Sequence, residues 1–162
     1  MQRTISAMVG KGSVNHNSRK FRAENVDGTR THLNIDYCNE NIKTVYHELF
    51  DEALERYNAK QIRSDRKIKD YYEKIRSSKQ EKPFHEIILQ VGGKGNMNAD
   101  TENGELAKQI LDEYYQGFQE RNPQLRVFSA HLHLDEATPH LHIDFAVSYT
   151  HLRAHETDQY LV

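Results

Sequence analysis

His133-Leu134-Asp135-Glu136-Ala137-Thr138-Pro139-His140-Leu141-His142 gathers three imidazoles and two carboxylates into ten consecutive residues. Residues 135–139 carry turn chemistry, so the alternating apolar segments on either side, residues 125–134 and 140–147, read as adjacent antiparallel strands. Side chains on a strand repeat with period two, which puts His140 and His142 on one face. Across the turn, His133 can reach that face and complete a set of three nitrogens. Neutral imidazole is the commonest protein metal ligand, and three protein ligands leave positions open for water or a substrate oxygen. Such a set suits zinc, yet imidazole also accepts manganese, iron and nickel, and spacing does not choose among them. His131, two residues earlier, reads as an ordinary hydrogen-bonded strand residue.

Upstream of the histidines, strands and helices alternate in an α+β order. Residues 4–9 read as a first strand, followed by a loop with Gly10, Gly12 and Asn15 that carries His16. Asn41 or Thr44 can cap a helix whose apolar stripe is Val45, Leu49, Ala53 and Tyr57, with Phe50 and Leu54 beside it. Asp65 or Asp70 begins a shorter helical segment through Ile75. Pro83 opens a strong strand over residues 84–91, which the Gly92-Gly93-Lys94-Gly95 run ends; that run lacks P-loop spacing and reads as a connection. Residues 104–121 show Leu106, Ile110, Tyr114 and Phe118 at helical spacing, and Pro123 closes the helix. The pattern predicts a central antiparallel β-sheet with flanking helices, packed mainly on one face, and the histidines converging near the centre of the sheet.

Composition bounds the function. A chain of 162 residues is one domain of ordinary size, long enough to bury a core. The mean hydropathy is −0.88, with 28% charged residues. No apolar run approaches membrane-spanning length, and residues 1–13 lack the apolar stretch of a secretory signal, so a cytoplasmic location is expected. The single cysteine, Cys38, excludes an internal disulfide and reads as an idle or buried thiol. A net charge of −2 argues against a uniformly basic nucleic-acid binder, but the charge is uneven. Before Ala23 stand Arg3, Lys11, Arg19, Lys20 and Arg22 without one acidic residue. Residues 60–82 carry Arg63, Arg66, Lys67, Lys69, Lys74, Arg76 and Lys79 against Asp65, Asp70, Glu73 and Glu81. Both segments are candidates for a polyanion track, with a solvated helix face an equal reading of the second.

His133-x-Asp135-Glu136-x-x-Pro139-His140-x-His142, together with His16-Asn17-Ser18-Arg19 near the start, resembles the Mob/Pre (MobV-type) plasmid mobilisation and recombination relaxases of the HUH endonuclease group. The resemblance runs from Met1 to about Val147. It implies an HUH relaxase-like fold and an enzyme that nicks one strand at a plasmid transfer origin, stays attached to the 5′ phosphate and rejoins the ends, as conjugation and plasmid mobilisation require. A divalent ion, Mn2+ or Mg2+, held by His133, His140 and His142 would polarise the scissile phosphate. The resemblance assigns the nucleophile to His16, with Arg19 as a bidentate clamp on the phosphate, Glu136 as the partner that fixes the His16 tautomer, and Asp135 as a carboxylate orienting a metal-bound histidine. Arg3, Lys11, Lys20, Arg22, Arg66, Lys67 and Lys69 are the expected DNA contacts. The implied partners are single-stranded or supercoiled plasmid DNA at the transfer origin, a coupling protein, and a second copy of the chain through a further C-terminal region.

Two other functions fit parts of the pattern. A replication initiator with the same core would use a tyrosine, for which Tyr71-Tyr72 is the conceivable pair, while Tyr46, Tyr57, Tyr114 and Tyr115 read as helix packing. A non-catalytic DNA-binding regulator would use the histidines for a structural metal only. The segment from Ser148 to Thr157 is hydrophilic and resembles translated adapter sequence. The expected organisation is therefore a relaxase domain at residues 1–147, truncated at its C-terminal end, and a non-native tail at 148–162.

Overall fold

The computed structural model describes residues 4–93 and 95–148. Five strands, β1 (Ile5–Val9), β2 (Ile35–Asn39), β3 (His85–Val91), β4 (Leu125–His133) and β5 (His140–Val147), form one sheet in the order β1-β3-β5-β4-β2. Every neighbouring pair is antiparallel. The two histidine strands pair as expected, with His133 opposite His140 and His131 opposite His142. They hold the middle of the sheet and are almost entirely buried.

Alternation along β5 divides the sheet into two chemistries. Leu141, Ile143 and Phe145 face one side, where with Leu89, Val91, Ala130 and Leu132 they pack against Ala107, Leu111 and Phe118 of α4 (Glu102–Gln116) and α5 (Phe118–Arg121). On the other face, Ala146 and Phe128 meet Val45, Phe50 and Ala53 of α2 (Ile42–Ala59) and Tyr71 and Ile75 of α3 (Tyr71–Arg76). A bulge between Val127 and Ser129 turns Phe128 to this second face. Helices thus cover both faces rather than mainly one, because this end of β4 and β5 is apolar on both sides. The rest of the second face carries His140, His142 and Asp144, and the single-turn helix α1 (Val14–Asn17) lies over it.

The structure corrects the sequence expectations at several places. Strand β2 was not expected; its Ile35 and Tyr37 alternate toward the α4 face, and it forms the sheet edge beside β4. His16 sits on α1 rather than in an open loop. The third long helix begins earlier, where Thr101 Oγ1 accepts the Gly104 N–H at 3.2 Å, and it is interrupted at Gly117, so residues 118–121 form a separate turn. Cys38 is half-buried with its Sγ 3.7 Å from the Tyr115 hydroxyl, and burial raises its pKa, which suits an idle thiol. Ser148 hydrogen-bonds the Gln124 carbonyl through both its N–H and its hydroxyl; the remainder of the expected tail lies outside the described residues.

Candidate metal centre and active site

His133, His140 and His142 each present one ring nitrogen to a common point, all within 4.8 Å of one another. The partners of the other ring nitrogens decide which nitrogen that is. His133 Nε2 lies 2.8 Å from the Asn17 carbonyl oxygen, His140 Nδ1 lies 2.9 Å from the Thr138 carbonyl oxygen, and His142 Nδ1 lies 2.6 Å from Glu86 Oε1. A carbonyl or carboxylate oxygen can only accept, so each of these nitrogens carries the proton. Lone pairs are thereby left on His133 Nδ1, His140 Nε2 and His142 Nε2. The first two are 3.4 Å apart, and the third is buried with no hydrogen-bond partner among the described residues. A buried imidazole lone pair without a donor is costly, and a cation coordinated by all three nitrogens removes that cost.

Burial keeps His133 and His142 neutral. Burial pushes the His133 pKa down to about 3, with the neighbouring His142 adding to the shift. His142 is also lowered by burial, against the opposing pull of Glu86. Neutral imidazole is the form that binds a metal. Three nitrogen donors fit manganese, iron or zinc better than magnesium, which prefers oxygen ligands.

Glu86 is the site residue that the sequence reading missed. It sits on β3 opposite Asp144, is 4% exposed, and stays ionised despite burial because His142, the Gly12 N–H and the Asn17 amide all hydrogen-bond it. Asn17 Nδ2 also reaches Asp144 Oδ2 at 3.2 Å, so one amide links two buried carboxyl groups. Burial, with the nearby Glu86 charge, pushes Asp144 up to about 6. The chain can cross Glu86 this closely only because Gly10 has no side chain: a Cβ there would lie 2.0 Å from Glu86 Oε2.

His16 stands at the mouth of this cluster, its ring centroid 6.3 Å from that of His133 and 6.5 Å from that of His142. Its Nε2 is 3.4 Å from Arg19 Nη1 and 3.8 Å from Glu136 Oε1, so the group within hydrogen-bond distance is Arg19, and Glu136 is an ion-pair neighbour. Glu136 also lies 3.6 Å from His140 Nε2 and accepts from Arg19 and Asn25. Burial would raise its pKa, but His140 in its protonated form, together with Arg19, outweighs that and holds it at about 2.

Arg19 and Asp135 are arranged differently from the expectation. The Arg19 fork is occupied by Asp135, with Nε to Oδ2 at 3.0 Å and Nη2 to Oδ1 at 2.5 Å, rather than presented to solvent as a phosphate clamp. Asp135 takes further hydrogen bonds from the Thr31 hydroxyl and the Asn34 amide. It therefore orients no histidine of the cluster; it ties residues 19–34 to the turn, and Glu86 is the carboxylate on a cluster ring. Arg19 adopts a left-handed backbone, φ 56°, as the chain leaves α1.

Lys11, Lys20 and Arg22 are exposed beside α1, and Arg3 lies outside the described residues. Arg66, Lys67 and Lys69 are exposed too, but their segment packs on α2 at the Ala146 end of the second face. Ala146 is six residues along β5 from His140, about 20 Å. Tyr71 is buried against Tyr46 and Phe50 at that same end, and Tyr72 stands edge-on to Tyr46. His131 is buried and hydrogen-bonds Asp36, outside the three-nitrogen set.

A family model described as plasmid recombination enzyme (Mob_Pre) matches residues 12–158. Among solved structures, the chain is similar to the MobM relaxase domain bound to plasmid pMV158 oriT DNA in its Mn-bound crystal structure at pH 5.5. The identity is 21% and the TM-score 0.52, over 91% of this chain and 71% of that one. The Mn-bound structure of the same complex at pH 4.6 gives 20% identity and a TM-score of 0.51, over 97% of this chain and 80% of that one. At these identities the likeness is one of fold. No curated protein matches the sequence.

Proposed function

The chain belongs to the plasmid recombination enzyme family, and from that premise we propose that it is a metal-dependent relaxase that cuts and rejoins one DNA strand at a plasmid transfer origin. The observation that carries this reading is the convergence of three histidine ring nitrogens, two of them on buried rings, beside His16. When bound there, a divalent ion, with Mn2+ the better match to nitrogen donors, supplies Lewis-acid polarisation of a phosphate oxygen.

The chain's own residues supply the rest. Arginine can only donate, so the Arg19 contact leaves the lone pair on His16 Nε2. That lone pair forms a P–N bond to the scissile phosphate while the bond from phosphorus to the 3′ oxygen breaks. The leaving oxygen departs with the electron pair and takes a proton from water. Attack by the 3′ hydroxyl on the same phosphorus reverses the step and frees the imidazole, so the strand is resealed without ATP. Glu136, ionised between His16 and His140, places a negative charge beside both rings. Arg19 holds Glu136 and Asp135 in place and brings positive charge to the mouth of the site. Lys11, Lys20 and Arg22 lead a single strand toward it, with Arg66, Lys67 and Lys69 as a more distant extension. A coupling protein and a second copy of the chain are partners that the family resemblance alone supports, as it does a bacterial cytoplasmic setting.

The test is the chemistry of the adduct. Incubation with Mn2+ and a supercoiled plasmid carrying a Mob/Pre-type transfer origin should yield a covalent protein–DNA adduct that is acid-labile, as a phosphoramidate is. His16→Ala should form none while still binding Mn2+. An acid-stable adduct surviving in His16→Ala would transfer the role to a tyrosine and favour the initiator reading, although no tyrosine among the described residues lines the cleft beside the histidines.

A further inference from the structure

The sheet beside the histidines is open. Met8 on β1 pairs with Ile88 on β3, Ile88 pairs with His142, and Gln90 pairs with His140, so these side chains continue the histidine face toward the sheet edge. Together with His16, Glu136 and Thr138 they line a cleft of about 350 Å³. That volume lies at the lower end of the range for small-ligand pockets, roughly 300–1,000 Å³.

The floor of this cleft has the wrong chemistry for a phosphate and the right one for a base. Met8 is 51% exposed on a strand whose residues are all exposed, and Ile88 beside it is only half-buried. No lysine or arginine lines the cleft among the described residues. Gln90 Nε2 donates to the Gly92 carbonyl at 3.1 Å, which fixes the amide, while its Oε1 accepts from no described residue. An apolar, polarisable platform with one oriented amide at its rim matches a nucleobase, which has a flat π face and a hydrogen-bonding edge. Because one wall of the cleft is the histidine centre itself, a base seated there belongs to a nucleotide adjoining the reacting phosphate.

We propose that Met8, Ile88 and Gln90 form a base-binding subsite that seats one unstacked nucleobase next to the phosphate at the histidine centre. The proposal rests on the nuclease reading above and adds what the site selects: a base as well as a phosphodiester. Met8 and Ile88 supply the stacking surface, and Gln90 reads the edge.

Fluorescently labelled dodecamers of dA, dC or dT, and an abasic dodecamer with the same phosphodiester backbone, separate the base from the backbone when titrated with Mn2+-loaded protein. Met8→Ser lies on an exposed strand and should fold normally. It should weaken the base-bearing dodecamers by about fivefold or more, while affinities for the abasic dodecamer and for Mn2+ alone stay unchanged. Gln90→Ala, in turn, should narrow the spread among dA, dC and dT with the abasic affinity again constant. Equal losses on base-bearing and abasic strands, or no loss on either, would overturn the subsite and leave the nuclease reading standing. Failure of the wild-type protein to bind any dodecamer would overturn both.

Discussion

Glu86 accepts the Nδ1–H of His142 at 2.6 Å from a strand that the histidine motif does not include. The bond fixes the tautomer that turns His142 Nε2 toward His133 and His140. Glu86→Gln keeps the shape and removes the charge, and its amide can donate where the carboxylate accepted. Loss of such an orienting partner typically costs about 10–100-fold in metal affinity, so Mn2+ binding by calorimetry should weaken by that order. Nicking should weaken in parallel and recover as Mn2+ is raised; a variant binding Mn2+ as tightly as wild type would remove Glu86 from the site.

Metal should stabilise the fold, because the three nitrogens come together only in the folded chain. A ligand that binds the native state alone stabilises it by about 2.7 kcal/mol at 100 times its dissociation constant. Thermal unfolding followed with and without Mn2+ should show a rise in Tm that His140→Ala abolishes. Mg2+ at the same concentration should give a smaller rise, since nitrogen donors suit it poorly.

Gly10 is set by contact rather than by a turn. A methyl group at Gly10 would lie 2.0 Å from Glu86 Oε2 and 2.3 Å from its Cδ, so Gly10→Ala must displace the carboxylate or the chain crossing it. Overpacking of this kind costs roughly 1–3 kcal/mol, and here it should also loosen Mn2+ binding through His142. Urea unfolding and Mn2+ titration of the variant should both move; a change in stability alone would mean that Glu86 stays in place.

Much of this architecture was legible locally. The β4–β5 pair, its register across 135–139 and the shared face of His133, His140 and His142 follow from alternation and turn residues within one stretch. Strand β2 escaped because it is short and interrupted by Asp36 and a bulge, so only Ile35 and Tyr37 carry the alternation. Glu86 escaped for a different reason. A glutamate inside the apolar run of β3 was a visible anomaly, but its partner depends on the strand order β1-β3-β5-β4-β2, and no local pattern encodes that β3 lies next to β5. The Arg19–Asp135 pair is likewise a contact across more than a hundred residues, invisible to spacing.

The Arg126–Glu40 pair gives a pH dependence with a definite sign. Both Arg126 Nη atoms reach Glu40 at 2.9 Å, and Nη2 reaches Glu48 at 3.2 Å, joining β4 to the start of α2. Hydrogen bonding to Arg126 holds the Glu40 pKa below its usual value near 4.5. A carboxylate lowered in the folded state contributes stability above its unfolded pKa and loses it as pH falls through the folded one. Arg126→Met should therefore cost about 1 kcal/mol or less at pH 7, the pair being partly exposed. The difference between variant and wild type should shrink as the pH is lowered from 5 toward 3; a gap that widened on acidification would contradict the assignment.

Salt dependence distinguishes the two basic segments. Each phosphate contact to a single strand contributes about 0.7 to the slope of log affinity against log salt. Lys11 and Lys20 flank α1, which carries His16, whereas no residue of 60–82 lines the cleft among the described residues. Lys11→Gln/Lys20→Gln should therefore reduce the slope measured with a single-stranded dodecamer by more than one unit. Arg66→Gln/Lys67→Gln/Lys69→Gln should reduce it less, because their segment packs on α2 at the Ala146 end of the second face. If the second variant lost as much slope as the first already on the dodecamer, the single strand would run toward α2 and α3 rather than past α1.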